Sequence, residues 1–187
     1  MLIKFVKASL YTLLAYLLQV TAALHLSLWD VAPNLALGLT AIATVALGRK
    51  YTFFMSLTIG YLLEIMLPTL DYISLIIYPV CAMLGALAFS DKSDRRQEEE
   101  RSTGKYRNML NPHLRTPLCA ALSITVFEIV HLFYISLNGV AIDFGHLGRS
   151  LISVVYSTLI TAVVQIPVRW FFGFYKRKKA RKPKGAQ

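Results

Sequence analysis

PLCAALSITVFEIVHLFYISL, residues 117–137, is an apolar run with one carboxylate, Glu128, near its middle. About 20 such residues, rising 1.5 Å each in an α-helix, match the roughly 30 Å hydrocarbon core of a bilayer. The segment before it is the reverse. Residues 91–116, DKSDRRQEEERSTGKYRNMLNPHLRT, hold seven basic and five acidic side chains. Long apolar runs set against short charged segments recur along all 187 residues. The chain is 56% hydrophobic and only 16% charged, well short of the roughly 25% charged residues of soluble domains. It therefore lacks the charged shell of a soluble protein. The same composition excludes a disordered chain, a collagen-like repeat and a small disulfide scaffold.

Outward from 117–137, five further apolar runs complete an expected all-α, polytopic bundle of six transmembrane helices in a single membrane domain, residues 1–187. The expected spans are about 5–28, 31–48, 51–68, 72–90, 117–137 and 151–172. Asp30, three residues before Pro33, is the expected N-cap of the second. Pro79 is an expected kink in the fourth. Asn138-Gly139 marks a turn after the fifth. The second span is short, so spans two and three have a re-entrant hairpin as an alternative. The start, with Lys4, Lys7 and Thr21-Ala22-Ala23, has a cleaved signal peptide as its alternative, although its apolar run extends to Leu28.

Charge gives an independent check on orientation. With both termini in the cytoplasm, nineteen of the twenty Lys and Arg residues fall on the inner side. The outer loops keep Arg149 beside Asp30, Asp71 and Asp143. That asymmetry is the positive-inside pattern of a multi-pass protein of a cytoplasmic membrane. It also accounts for the formal charge of +10 without nucleic acid. Trp29 and Tyr72 on one side, and Tyr51, Trp170 and Tyr175 on the other, fall at the expected interfaces. The cytoplasmic loop 91–116 reads as a solvated linker, and residues 173–187 form a basic tail. Lys176, Arg177, Lys178, Lys179, Arg181, Lys182 and Lys184 of that tail are expected to anchor it on anionic headgroups, at about 1 kcal/mol per residue near the surface.

Ionisable groups inside a bilayer are costly, which makes them the first functional candidates. Glu64 in span three and Glu128 in span five qualify, and His131 shares a helical face with Glu128 at i+3. A hydrogen bond between Glu64 and His131 is compatible with their depths. Gln19, His25 and Gln165 complete the intramembrane polar set. No catalytic set, metal-ligand spacing or cofactor motif is legible, so no enzyme activity, metal or cofactor is expected. Cys81 and Cys119 differ in depth by roughly 10 Å, which reads as two small packing residues rather than a disulfide. Small residues mark close helix approach: Gly38 in span two, Gly60 in span three, and Ala82, Gly85 and Ala86 in span four. They are candidates for packing against a partner helix or against the chain's own helices.

Several features in order give a resemblance. Pro33-Asn34 precedes a leucine-rich run, Gly48-Arg49-Lys50 forms a short basic turn, and Gly60-Tyr61-Leu62-Leu63-Glu64 joins a glycine to an acidic residue. A small-residue pattern surrounds Gly85, Glu128 is acidic within span five, and SLISVVYSTLITAVVQIPVRWFF closes the set with a late Pro167 and a basic end. In these respects the chain resembles the MreD family of bacterial rod shape-determining membrane proteins. The resemblance implies a non-enzymatic subunit of the cell-elongation complex. It would bind the single-span protein MreC, work with the MreB filament system and the peptidoglycan synthases, and help position or regulate lateral wall synthesis. It also implies a fold like that of the substrate-binding subunits of energy-coupling-factor transporters. Those subunits supply the alternative function, vitamin binding, with Glu64, His131, Asp143 and His146 as lining residues. Against it, span one lacks the spaced alanine pair with which they dock their partner.

Overall fold

The computed structural model describes residues 2–29, 31–66, 73–89 and 111–172. Among them are six helices and no β-strand: α1 (Leu2–His25), α2 (Leu35–Leu47), α3 (Arg49–Met66), α4 (Ile73–Phe89), α5 (Pro112–Leu137) and α6 (Phe144–Phe172). The tail from 173, and the loop 91–116 apart from its last six residues, lie outside the described residues. So do the seven expected anchoring residues, Lys176 to Lys184.

The apolar α2 occupies the centre. Every residue from Leu35 to Val45 is buried, and α2 packs against each of the other five helices. Around it run α1, α3, α4, α5 and α6, each packed on the next. The ring closes where α6 meets α1. There Tyr11 and Phe172 stand edge to face at 5.1 Å, Lys7 Nζ donates to the Phe172 carbonyl, and the Tyr156 hydroxyl donates to the Leu26 carbonyl. The outer surface is the reverse of a soluble protein's. On α6, Leu151, Val155, Leu159 and Val163 recur every fourth residue and all are exposed, Leu151 and Val163 at 69%. Such a stripe faces hydrocarbon at no cost and faces water at considerable cost.

Among the described residues, three helices are long and apolar enough to cross a membrane: Phe5–Ala23 within α1, His113–Leu137 within α5, and α6. The other three expected spans do not meet that length and apolarity among the described residues. The apolar α2 has 13 residues and α4 has 17, so α2 spans only about 20 Å at 1.5 Å per residue. The α3 helix carries Arg49 and Lys50 in its first turn and Glu64 near its end.

Local chemistry explains the moved boundaries. The α2 helix starts at Leu35 rather than 31, because Asn34 is its N-cap in place of Asp30, the Oδ1 atom accepting from the Leu37 N–H at 3.1 Å. Before it, the chain reverses tightly between Leu28 and Val31, which exchange backbone hydrogen bonds. Trp29 at that turn has φ +52° and is 81% exposed. One residue, Gly48, joins α2 to α3 at φ +90°, where a side chain is strained. The α5 helix opens at Pro112 instead of 117, with Asn111 before it and a proline in the first turn, where the missing N–H costs nothing. The α6 helix opens at Phe144, not 151. Asp143 Oδ1 accepts from the Phe144 N–H, and His146 Nδ1 accepts from the Asp143 N–H at 3.4 Å, a reciprocal cap.

Pro117 consequently sits inside α5. Having no N–H, it leaves the His113 carbonyl without its helical donor. Gln165 on α6 supplies one, its Nε2 donating to that carbonyl at 3.2 Å. Replacing Gln165 by leucine should therefore cost about 1 kcal/mol, the lower end of the penalty for a partly buried acceptor left alone. Adding Pro117→Ala restores an intrahelical donor and should recover most of it. A double-mutant cycle of detergent unfolding reads the coupling, and additive effects would refute the substitution of one donor for the other.

Candidate functional site

The buried face of α6 is polar. Ser153, Ser157, Thr161, Gln165 and Arg169 recur every fourth residue and all are buried. On a helix this spacing makes one stripe, directed at α2 and α5. Ser157 Oγ accepts from the Asn34 N–H at 2.9 Å. Thr161 lies against Gly38, so close that a Cβ on Gly38 would collide with its hydroxyl. At the end nearest the α5 start, Arg169 Nη1 contacts His113 Nδ1 and Nη2 donates to Thr116 Oγ1, both at 2.7 Å. An arginine only donates, so His113 Nδ1 is the acceptor in that pair. The stripe is legible in sequence as polar residues at i,i+4 within an apolar helix, a signal that counting charges alone passes over.

At its other end the stripe opens into a cavity of about 260 Å³. Val31 and Ala32 of the extended segment line it, with Phe127, Glu128, His131, Leu132 and Ile135 of α5 and His146, Arg149, Ser150 and Ser153 of α6. The Ser153 hydroxyl donates to Glu128 Oε1 at 2.6 Å and joins α5 to α6. The His131 ring stacks on Phe127, with centroids 6.1 Å apart and planes 9° off parallel. Glu128 and His131 thus share one cavity, as their spacing predicts. Arg149, which the sequence marks only as the lone basic residue of the outer loops, joins them, as do Ser150 and Ser153.

Glu64 is elsewhere. Instead of meeting His131, its Oε2 accepts from the Ser74 N–H at 3.1 Å, satisfying a first-turn donor of α4. Gly60, one turn earlier, explains the closeness: a Cβ there would lie 2.7 Å from the Ser74 carbonyl oxygen. The other small residues are also taken up inside the bundle. Gly85 packs on Ser123 and Cys119 of α5, and Ala82 and Ala86 are 2% and 0% exposed. Gly38, Gly60, Ala82, Gly85 and Ala86 thus lie against the chain's own helices, one of the two uses expected for them. Cys81 and Cys119 are free and buried.

The N-terminal end of α2 is satisfied entirely from within. Besides Asn34 Oδ1 on Leu37 and Ser157 on Asn34, Gln19 Oε1 of α1 accepts from the Ala36 N–H at 2.8 Å. Val31, Pro33 and Asn34 of the non-helical segment before α2 are buried, as suits backbone whose groups protein must satisfy. Among the described residues, no group of three or more His, Cys, Asp or Glu could hold a metal ion.

These features define an all-helical membrane protein with a polar interior seam and a small cavity at one end of it. In comparison with known proteins, the chain matches no family model, no curated protein and no solved structure.

Proposed function

We propose that this chain is a non-enzymatic membrane subunit of a bacterial cell-elongation (rod) complex, of the MreD type. In this reading it sits in the cytoplasmic membrane with six crossings and both termini inside. The short α2 and α4 cross with the help of their flanking segments. The chain binds an MreC-like single-span protein and helps position or regulate lateral peptidoglycan synthesis and hence cell shape. The MreB filaments and the synthases are further partners, and the basic tail holds anionic lipid.

One observation carries the reading. The residues on which the resemblance rests are employed in joining helices. Asn34 ties α2 to α6, Gly60 and Glu64 seat α4, Gly85 seats α5, and Glu128 ties α5 to α6. They are spread through the bundle rather than gathered round one centre, as suits a scaffold. With the small residues used internally, a partner helix would meet an outward apolar face.

The vitamin-binding alternative draws less support. Glu64 is held at α4 and Asp143 caps α6, so two of its four lining residues have other work. A cavity of about 260 Å³ also falls below the roughly 300–1,000 Å³ usual for drug-sized ligands.

Cross-linking the tagged chain in its native membrane, followed by mass spectrometry of proteins and small molecules, tests the proposal. Recovery of an MreC-like protein with the elongation synthases is the expected outcome. Recovery of an ATPase-linked transport module with a stoichiometric vitamin would overturn it.

A further inference from the structure

Glu128 and Arg149 line the same cavity from adjacent helices, yet among the described residues no ion pair joins them. At a partly exposed site the two charges gain little by pairing directly, and both stay open to a ligand. Glu128 uses one oxygen on Ser153 and keeps acceptor capacity on the other. Arg149 is exposed at the rim with five donors. Phe127, Leu132 and Ile135 give the same cavity an apolar lining. His146 adds a donor: its Nδ1 accepts from the Asp143 N–H, which leaves the proton of the neutral ring on Nε2.

We infer that this cavity, between α5, α6 and residues 31–32, is a binding site for a small zwitterion with an apolar body, of the size and chemistry of an apolar amino acid. The ligand's carboxylate meets Arg149 and His146, its ammonium meets Glu128, and its side chain covers Phe127, Leu132 and Ile135. A ligand with one charge would engage only one of the two protein charges and forgo the charge-assisted hydrogen bonds of the other. The formal charge of the lining, one carboxylate against one guanidinium, is balanced, as a zwitterion requires. A volume of about 260 Å³ suits an amino acid better than a cofactor. The site stands whether or not the chain binds an MreC-like protein, since its test reads the ligand alone.

The test uses the full chain in lipid nanodiscs, titrated calorimetrically with L-leucine, L-methionine and L-phenylalanine. The single-charge analogues 3-phenylpropionate and 2-phenylethylamine are titrated beside them. Saturable binding of at least one amino acid at one site per chain is expected. Each analogue should bind at least about tenfold more weakly than L-phenylalanine or the best amino acid, as should that amino acid to Glu128→Gln or Arg149→Gln. Both variants should keep their fold by circular dichroism. The amide oxygen introduced by Glu128→Gln still accepts from Ser153, and Arg149 is exposed. Absence of saturable binding by all three amino acids would overturn the inference. So would an analogue binding as tightly as the best amino acid, or unchanged affinity in both variants.

Discussion

Gly60→Val is expected to lose about 3 kcal/mol of stability, the upper part of the usual cost of overpacking a filled interior. The cause is the identity of the atoms in the way. A Cβ on Gly60 lies 2.7 Å from the Ser74 carbonyl oxygen and 3.2 Å from the Leu75 Cα. Backbone cannot swing aside as the end of a side chain can, so α4 must move away from α3. That movement also lengthens the Glu64–Ser74 bond, and the two losses fall together. A matched control sits on α6, where a Cβ on Gly148 meets nothing within 4 Å. Gly148→Ala should stabilise by up to about 1 kcal/mol through helix propensity alone. Unfolding in mixed detergent, followed by circular dichroism, reads both. Equal stability of Gly60→Val and wild type would show that α3 and α4 do not approach as described.

The second large effect belongs to Asn34. Its Oδ1 holds the Leu37 N–H while its own N–H is held by Ser157, in a region where water is not at hand. Asn34→Ala leaves a buried donor without a partner and should cost about 2 kcal/mol, the top of the measured range for N-cap loss. Asn34→Ser, which keeps a capping oxygen, should recover most of it. Hydrogen exchange at the Leu37 amide separates local from global loss. Exchange should accelerate in Asn34→Ala beyond what the drop in overall stability explains. Unchanged protection at Leu37 would place the cap elsewhere.

Helix existence was legible because apolar periodicity alone decides it; boundaries were not, because side chains set them. Asn34 and Asp30 are both good capping residues, and the bond from the Leu37 N–H to Asn34 Oδ1 selects the first. Pro112 and Pro117 both look like helix starts. Pro117 could stay inside α5 because Gln165 of α6, 52 residues beyond His113, takes over the orphaned His113 carbonyl, a compensation with no local signature. Glu128 and His131 were readable as a pair since i+3 spacing is intrinsic to a helix. The partner of Glu64 was not, because how α3 is turned towards α4 depends on Gly60 fitting against Ser74. Small residues announce that something comes close without saying what. Here it is Thr161 for Gly38, Ser74 for Gly60 and Ser123 for Gly85.

The polar stripe on α6 also bears on how the chain is made. The central helix α2 is synthesised early, yet Ser157, which holds the Asn34 N–H, lies 123 residues later. At 5–20 residues per second the ribosome delivers it roughly 6–25 s after Asn34. Through that interval Gln19 of α1 can already serve Ala36, but one end of the core helix waits for its last acceptor, Ser157. The newborn bundle is thus incomplete until its final helix arrives, and that helix in turn has nowhere to hide Gln165 and Arg169 except inside the bundle. A chain that ends before α6 therefore leaves the Asn34 N–H, at one end of its central helix, without the Ser157 acceptor.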